Sequence, residues 1–274
     1  MRVPLEALTG HGQSLDATID KERCLGAALA ISMKIAAAKF GGRGYAYWHF
    51  DANAGSGHND VADVPGSPVV FHVAADQHLN GMRRHAFFCD LNSDALLHLE
   101  SRLAPWRALS RLHLYDNERC LDIFAECIRQ SGEQPRYALG SVIVDPNGYW
   151  YRNKDGHGPP TKSLIRFAQE FPRIDIVLNL NARTFRLQRA QGHPVLSPRD
   201  VLGRLNKSNW LIRRTCYGGD DWLLAVGRNV KTGDHRRIGF HKLESAEGHA
   251  IMTMIEGRRQ RGMFDADRGE EQRP

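Results

Sequence analysis

Short apolar runs that end in an acid or a small polar residue recur between residues 45 and 181, and helical spacing of apolar positions fills the stretches between them. Residues 45–50 form an aromatic strand, and 85–90, 111–115, 137–144 and 174–180 read as four more. The most apolar stretch, 25–40, is rich in Ala, Leu and Ile and is broken only by Lys34 and Lys39. It predicts a helix packed on the sheet. Further helices are expected from Pro68 to about Met82, and over 92–103, 118–130, 161–170, 197–205 and 245–258. Pro68 suits the first turn of its helix. Strands alternating with helices predict a mostly parallel sheet covered on both faces. Residues 210–217 and 222–228 bracket Gly218-Gly-Asp-Asp221, a hairpin signal that closes the pattern. Residues 1–16 and 256–274 lack periodicity and are expected to be loosely ordered.

Composition narrows the class. With 274 residues and 42% hydrophobic content, the chain can bury one large core or two small ones. Its organisation reads as a helical extension over 1–44, a Rossmann-like domain over 45–230, and a C-terminal extension with a helix and polar tail over 231–274. A net charge of +6 favours a polyanionic partner. The five cysteines, Cys24, Cys89, Cys120, Cys127 and Cys216, are scattered and contain no Cys-x-x-Cys. That pattern fits reduced core thiols in a cytoplasmic protein and offers neither a disulfide frame nor a zinc site. No run reaches the ~20 apolar residues a membrane span requires.

The chemistry gathers at strand ends. The first strand opens into Asp51-Ala-Asn-Ala-Gly-Ser-Gly57, where Gly55 and Gly57 tolerate positive φ and leave room for a ligand. A strand, glycine turn and helix is where a doubly wound sheet takes a nucleotide-like ligand. The third glycine of the dinucleotide fingerprint is missing, which argues against a nucleotide-dependent oxidoreductase. Residues 58–67 are too long for a tight connection and predict a loop over the pocket. Asp90, at the second strand's tip, either accepts hydrogen bonds from both ribose hydroxyls or caps the next helix. Asp116 after the third strand either meets an adenine amino group or caps its own helix.

Asp145-Pro-Asn-Gly-Tyr-Trp150 follows the fourth strand. Pro146 stiffens the backbone beside the acid, and Tyr149 and Trp150 offer flat faces for a base; the same composition also suits a simple turn. Arg183, Arg186 and Arg189 are spaced to share a helix face, as either a solvated surface or a rail for phosphates.

The order of these signals resembles the class I S-adenosylmethionine (SAM) methyltransferases, and more narrowly the three-Cys-motif partner family of methyltransferase-like proteins. The matching pieces are Phe50-Asp-Ala-Asn-Ala-Gly-Ser-Gly57, Gly66-Ser-Pro-Val69, Phe87-Phe-Cys-Asp-Leu-Asn92, Val142-Ile-Val-Asp-Pro-Asn-Gly148 and Ile176-Val-Leu-Asn-Leu-Asn181. The resemblance implies a doubly wound, mostly parallel seven-stranded α/β sheet of the Rossmann-like class I methyltransferase fold, with an antiparallel C-terminal hairpin. It implies SAM as cofactor, with Asp51, Ala52, Asn53, Gly55 and Gly57 at its methionine end and Asp90 and Leu91 at its ribose. It also places Asp145, Pro146, Asn147 and Tyr149 where N6-adenine methyltransferases carry the Asp-Pro-Pro-Tyr-type motif that binds the target amine. Asn147-Gly148 stands where Pro-Tyr would be, so the target chemistry is less specified than the fold. Two functions follow: a SAM-dependent N-methyltransferase acting on a base of DNA or RNA, or a non-catalytic partner that binds nucleic acid or another protein.

Overall fold

The computed structural model describes residues 15–60, 62–145, 161–192, 195–217, 220–230 and 236–257. Helix α1 (Leu15–Phe40) leads into β1 (Ala46–Asp51), then a small hairpin of β2 (His58–Asn59) and β3 (Val64–Pro65). Three strand–helix steps follow. Helix α2 (Ser67–His78) leads to β4 (Arg83–Cys89), α3 (Ser93–Arg102) to β5 (Ser110–His113), and α4 (Asn117–Gln130) to β6 (Leu139–Val144). Beyond residue 160 come α5 (Thr161–Glu170), β7 (Ile174–Asn181), α6 (Ala182–Ala190) and α7 (Pro198–Arg204). The chain then pairs β8 (Asn209–Tyr217) with β9 (Asp220–Arg228), adds β10 (His241–Lys242), and ends its described part in α8 (Ala246–Glu256).

The main sheet runs in the order β10-β8-β9-β7-β6-β1-β4-β5. Strands β5, β4, β1, β6 and β7 are mutually parallel, while β9 runs antiparallel to both β7 and β8. This is the expected doubly wound α/β fold with a reversed strand inserted near one edge. The sheet has eight strands instead of the expected seven, because His241–Lys242 pairs antiparallel with Leu211 and Ile212 of β8. Two residues carry no periodic signal, so only the pairing reveals the extra strand. Helix α1 also begins ten residues earlier than the apolar run suggested, taking in the charged turn Asp20-Lys-Glu-Arg23.

Period-two alternation sorts the strand side chains onto two faces. Trp48 and Phe50 point into a core shared with α4 to α8, while Tyr47 packs with α1, α2 and α3 on the other side. Aromatic rings thicken the first core: Phe124 stacks on Phe50 at 5.4 Å between centroids and meets Phe87 edge-on at 5.1 Å. Helix starts are set by short polar side chains that accept the orphan amides of the first turn. Asn92, Asp116, Asn181, Ser197 and Ser245 each do this. Among the described residues no helix is long and apolar enough to cross a membrane.

Candidate functional site

From β1 the chain winds outward through β4 and β5, then returns to place β6 on the opposite side of β1. The crevice outside the β1 and β6 tips is therefore a topological switch point, where open α/β sheets take ligands. Asp51 ends β1 there. It is fully buried, with Oδ1 accepting from the Asn53 amide at 3.1 Å and Oδ2 from the Ser67 hydroxyl at 2.6 Å. Burial raises its carboxyl to about 7; the Ser67 and Asn53 hydrogen bonds oppose this, and the charges of Asp145 and Glu22 add to it. Ala52 donates its amide to the Ile143 carbonyl and is buried.

The two glycines of the turn do different jobs. Gly55 has φ +59°, and a Cβ built on it would meet no atom within 4 Å, so its backbone faces open space. Gly57 has φ +77°, but its Cβ would lie 2.6 Å from Leu99 Cδ1, so this glycine lets α3 approach. Asp90 holds the turn in place: Oδ2 accepts from the Gly55 amide at 2.9 Å and Oδ1 from the Asn92 amide at 2.8 Å. The helix cap after β4 is supplied by Asn92, which accepts from Asp94 and Ala95. Asp90 is thereby kept at the rim, beside the half-exposed Leu91. Asp116 caps α4 through the Arg119 amide, the structural one of its two expected roles. The loop expected over 58–67 contains the β2–β3 hairpin, tied to α3 by Arg102, which donates to the Ser56 carbonyl and Asp60.

Asp145 is the last described residue after β6; Pro146, Asn147, Tyr149 and Trp150 lie outside the described residues. Its Oδ1 accepts from Asn179 Nδ2 at 2.8 Å, and its Oδ2 from Lys21 Nζ at 2.8 Å. Lys21 also lies 3.4 Å from Glu22 Oε1. Burial works against the Lys21 charge, but Asp145 and Glu22 outweigh it and hold the ammonium above the ordinary lysine range. Glu22 is pushed up by burial and by Asp145, with Lys21 opposing. Lys21 and Glu22 escape a reading of the sequence because they precede the apolar stretch that marks the helix. The run Asp20-Lys-Glu-Arg23 ahead of it is the available signal: a charge cluster entering a helix that covers a sheet must meet something there.

The arginine row divides. Arg183 and Arg189 are exposed on α6. Arg186 donates to Asp221 Oδ2 at 2.9 Å and to the Met254 carbonyl, and Arg214 holds the other oxygen of Asp221. Arg186 thus fastens α6 to the hairpin and α8. Among the described residues no group of three or more His, Cys, Asp or Glu is placed to hold a metal ion.

Comparison with known proteins adds the fold to this geometry. No protein-family model matches the chain, and no curated protein does. Protein LPL1258 from Legionella pneumophila superposes with a TM-score of 0.53 at 10% identity, over 86% of this chain and 92% of its own. That likeness is one of fold. A Streptomyces avermitilis protein of the duf574 family reaches 0.45 at 12% identity, over 82% and 95% of the two chains. The METTL16 methyltransferase domain reaches 0.41 at 10%, over 84% and 74%.

Proposed function

We propose that the protein is a SAM-dependent methyltransferase whose acceptor is an amine on a nucleic-acid base. The observation that carries this reading is the switch point itself, where Asp90 holds the open glycine turn at Gly55 after β1 and Asp145 ends the neighbouring β6. The residues suit the cofactor. Gly55 lets a ligand approach the backbone, Asp90 sits where ribose hydroxyls donate, and Leu91 offers an apolar edge beside it. When bound, SAM supplies an electrophilic methyl group. The protein's part is to align the acceptor, which is largely a matter of position. Asp145 accepts a hydrogen bond from the target amine, and Asn179 and Lys21 fix the carboxylate's orientation. The net charge of +6 supports a polyanionic substrate, and a base within a duplex would first be flipped out.

The test is calorimetric titration with SAM and S-adenosylhomocysteine, followed by transfer of labelled methyl to RNA and DNA by the parent and by Asp145→Ala. Absence of binding by both compounds sinks the reading. One observation favours a second: both Asp145 oxygens already have partners within the protein. A methyltransferase-like fold kept as a binding module for nucleic acid or another protein would bind without incorporating methyl groups.

A further inference from the structure

Among the described residues, the crevice gathers three carboxyls around one ammonium. Asp51, Glu22 and Asp145 lie near enough that the latter two disfavour ionisation of Asp51. Lys21 is the cation among them, and its shortest contact is with Asp145 at 2.8 Å, against 3.4 Å to Glu22. Asp51 is fully buried and accepts only from neutral donors, Ser67 and Asn53. Glu22 is 9% exposed, and its Oε2 is buried with no hydrogen-bond partner among the described residues. The Oδ1 of Asn53 is likewise a buried acceptor without a donor.

Among the described residues Asp51 has neutral donors alone, and Glu22 shares its one ammonium with Asp145. A buried carboxylate of this kind is strongly disfavoured unless a proton or a cation neutralises it. The Lys21 ammonium is shared between Asp145 and Glu22 Oε1, so one positive charge faces three carboxyls among the described residues. A ligand that brings its own positive charge would complete the set.

We propose that this crevice selects a cationic ligand, with Glu22 of the N-terminal helix as the specificity-determining residue: its free oxygen, together with Asp51, favours the positively charged sulfonium cofactor over the neutral thioether left after transfer. The inference rests on the SAM reading and deepens it. SAM carries one positive charge more than S-adenosylhomocysteine, so loss of the methyl group removes the charge that the crevice holds. Selection by charge then favours exchange of spent for fresh cofactor. Because the Asp51 and Glu22 carboxyls are both raised, binding a cation also expels protons. SAM affinity should climb with pH through neutrality, whereas that of the thioether should not.

The experiment is calorimetric titration of the full chain at pH 6 and pH 8 with SAM, S-adenosylhomocysteine and sinefungin, whose amine replaces the sulfonium. Both cationic ligands should bind roughly tenfold more tightly than the thioether at pH 8, with a smaller margin at pH 6. Glu22→Gln should weaken SAM and leave the thioether unchanged, and Glu22→Asp should keep most of the margin. The parent protein alone decides the matter even if a variant fails to fold. Equal or tighter binding of the thioether overturns charge selection while leaving the methyltransferase reading in place, as does a Glu22→Gln variant that weakens both alike. If neither compound binds, both fall together.

Discussion

The Lys21 ammonium donates to Asp145 Oδ2 at 2.8 Å and so joins the first helix to the tip of β6 across 124 residues of sequence. Both side chains are about four-fifths buried, at 19% and 23% exposure. Removing one partner strands the other charge, so Lys21→Met should lower stability by about 2 kcal/mol. Pairing it with Asp145→Asn should restore much of that stability. Urea unfolding of the two single variants and the double variant measures this coupling, and additive effects would show that the ion pair is idle.

Asp90 offers a separable pair of effects. Asp90→Ala leaves the Gly55 and Asn92 amides without their acceptor, which should cost about 1–2 kcal/mol. If the carboxylate also meets a ribose, SAM affinity should fall roughly tenfold or more. Asp90→Asn keeps an acceptor for one amide and should recover part of the stability with little of the affinity. Thermal melts and calorimetry read the two effects independently, and unchanged SAM binding in both variants would remove Asp90 from the cofactor's surroundings.

Gly55 and Gly57 should respond differently to alanine. Both have positive φ, so each substitution costs about 1 kcal/mol of backbone strain. At Gly57 the new methyl also meets Leu99, so destabilisation should be clearly larger there. At Gly55 it projects into open space, and the damage should appear as weaker ligand binding. A Gly55→Ala protein that binds SAM as its parent does would move the pocket elsewhere.

Two buried histidines make the fold sensitive to acid. His49 stacks on Phe71 at 3.8 Å and pairs through Nδ1 with Ser141; His72 stacks on Trp106 and pairs with Ser110. Burial pushes His49 well below the ordinary histidine value and His72 down to about 3. Above the unfolded value of about 6.5 neither state is protonated and stability is indifferent. Below it the unfolded chain gains protons that the folded one refuses, so each histidine removes up to ~1.4 kcal/mol per pH unit. Asp51 acts oppositely, since its raised carboxyl takes a proton in the folded state first. His72→Asn should therefore flatten the decline in stability between pH 6.5 and about 4, and Asp51→Asn should steepen it. Urea midpoints across that range decide, and a His72→Asn slope equal to the parent's would refute the assignment.

On α6 the arginines should separate by role. Arg186→Ala breaks its hydrogen bonds with Asp221 and Met254 and should lower the melting temperature. If the exposed Arg183 and Arg189 meet phosphates, replacing either should flatten the salt dependence of nucleic-acid binding by about one unit for each phosphate no longer neutralised. Filter binding across a salt series distinguishes this from a solvated face, for which the slopes would not change.

Much of the architecture was legible because it rests on local rules. The short apolar run of residues 46–50, buried on both faces, and helical spacing between acid-tipped strands point to a covered parallel sheet. Gly218-Gly-Asp-Asp221 marked the closing hairpin, and β8 and β9 pair there, with Cys216 opposite Asp221 and Tyr217 opposite Asp220. Boundaries slipped where the signal came from neighbours, as at β10, whose two residues form a strand only because β8 offers its edge.

The sequence by itself determined the α/β class, the acids at the strand ends and the glycine turn, since each follows from residue type and spacing along a few neighbouring positions. Only the tertiary structure decided what those acids touch. It gave Asp116 to a helix cap and Arg186 to Asp221, and it turned Gly57 toward Leu99 while leaving Gly55 open. It also brought Lys21 from the first helix onto Asp145, with Glu22 beside it. The physical reason is that charge pairing and burial depend on distance in space, and the winding of the sheet brings positions far apart in the chain to one crevice.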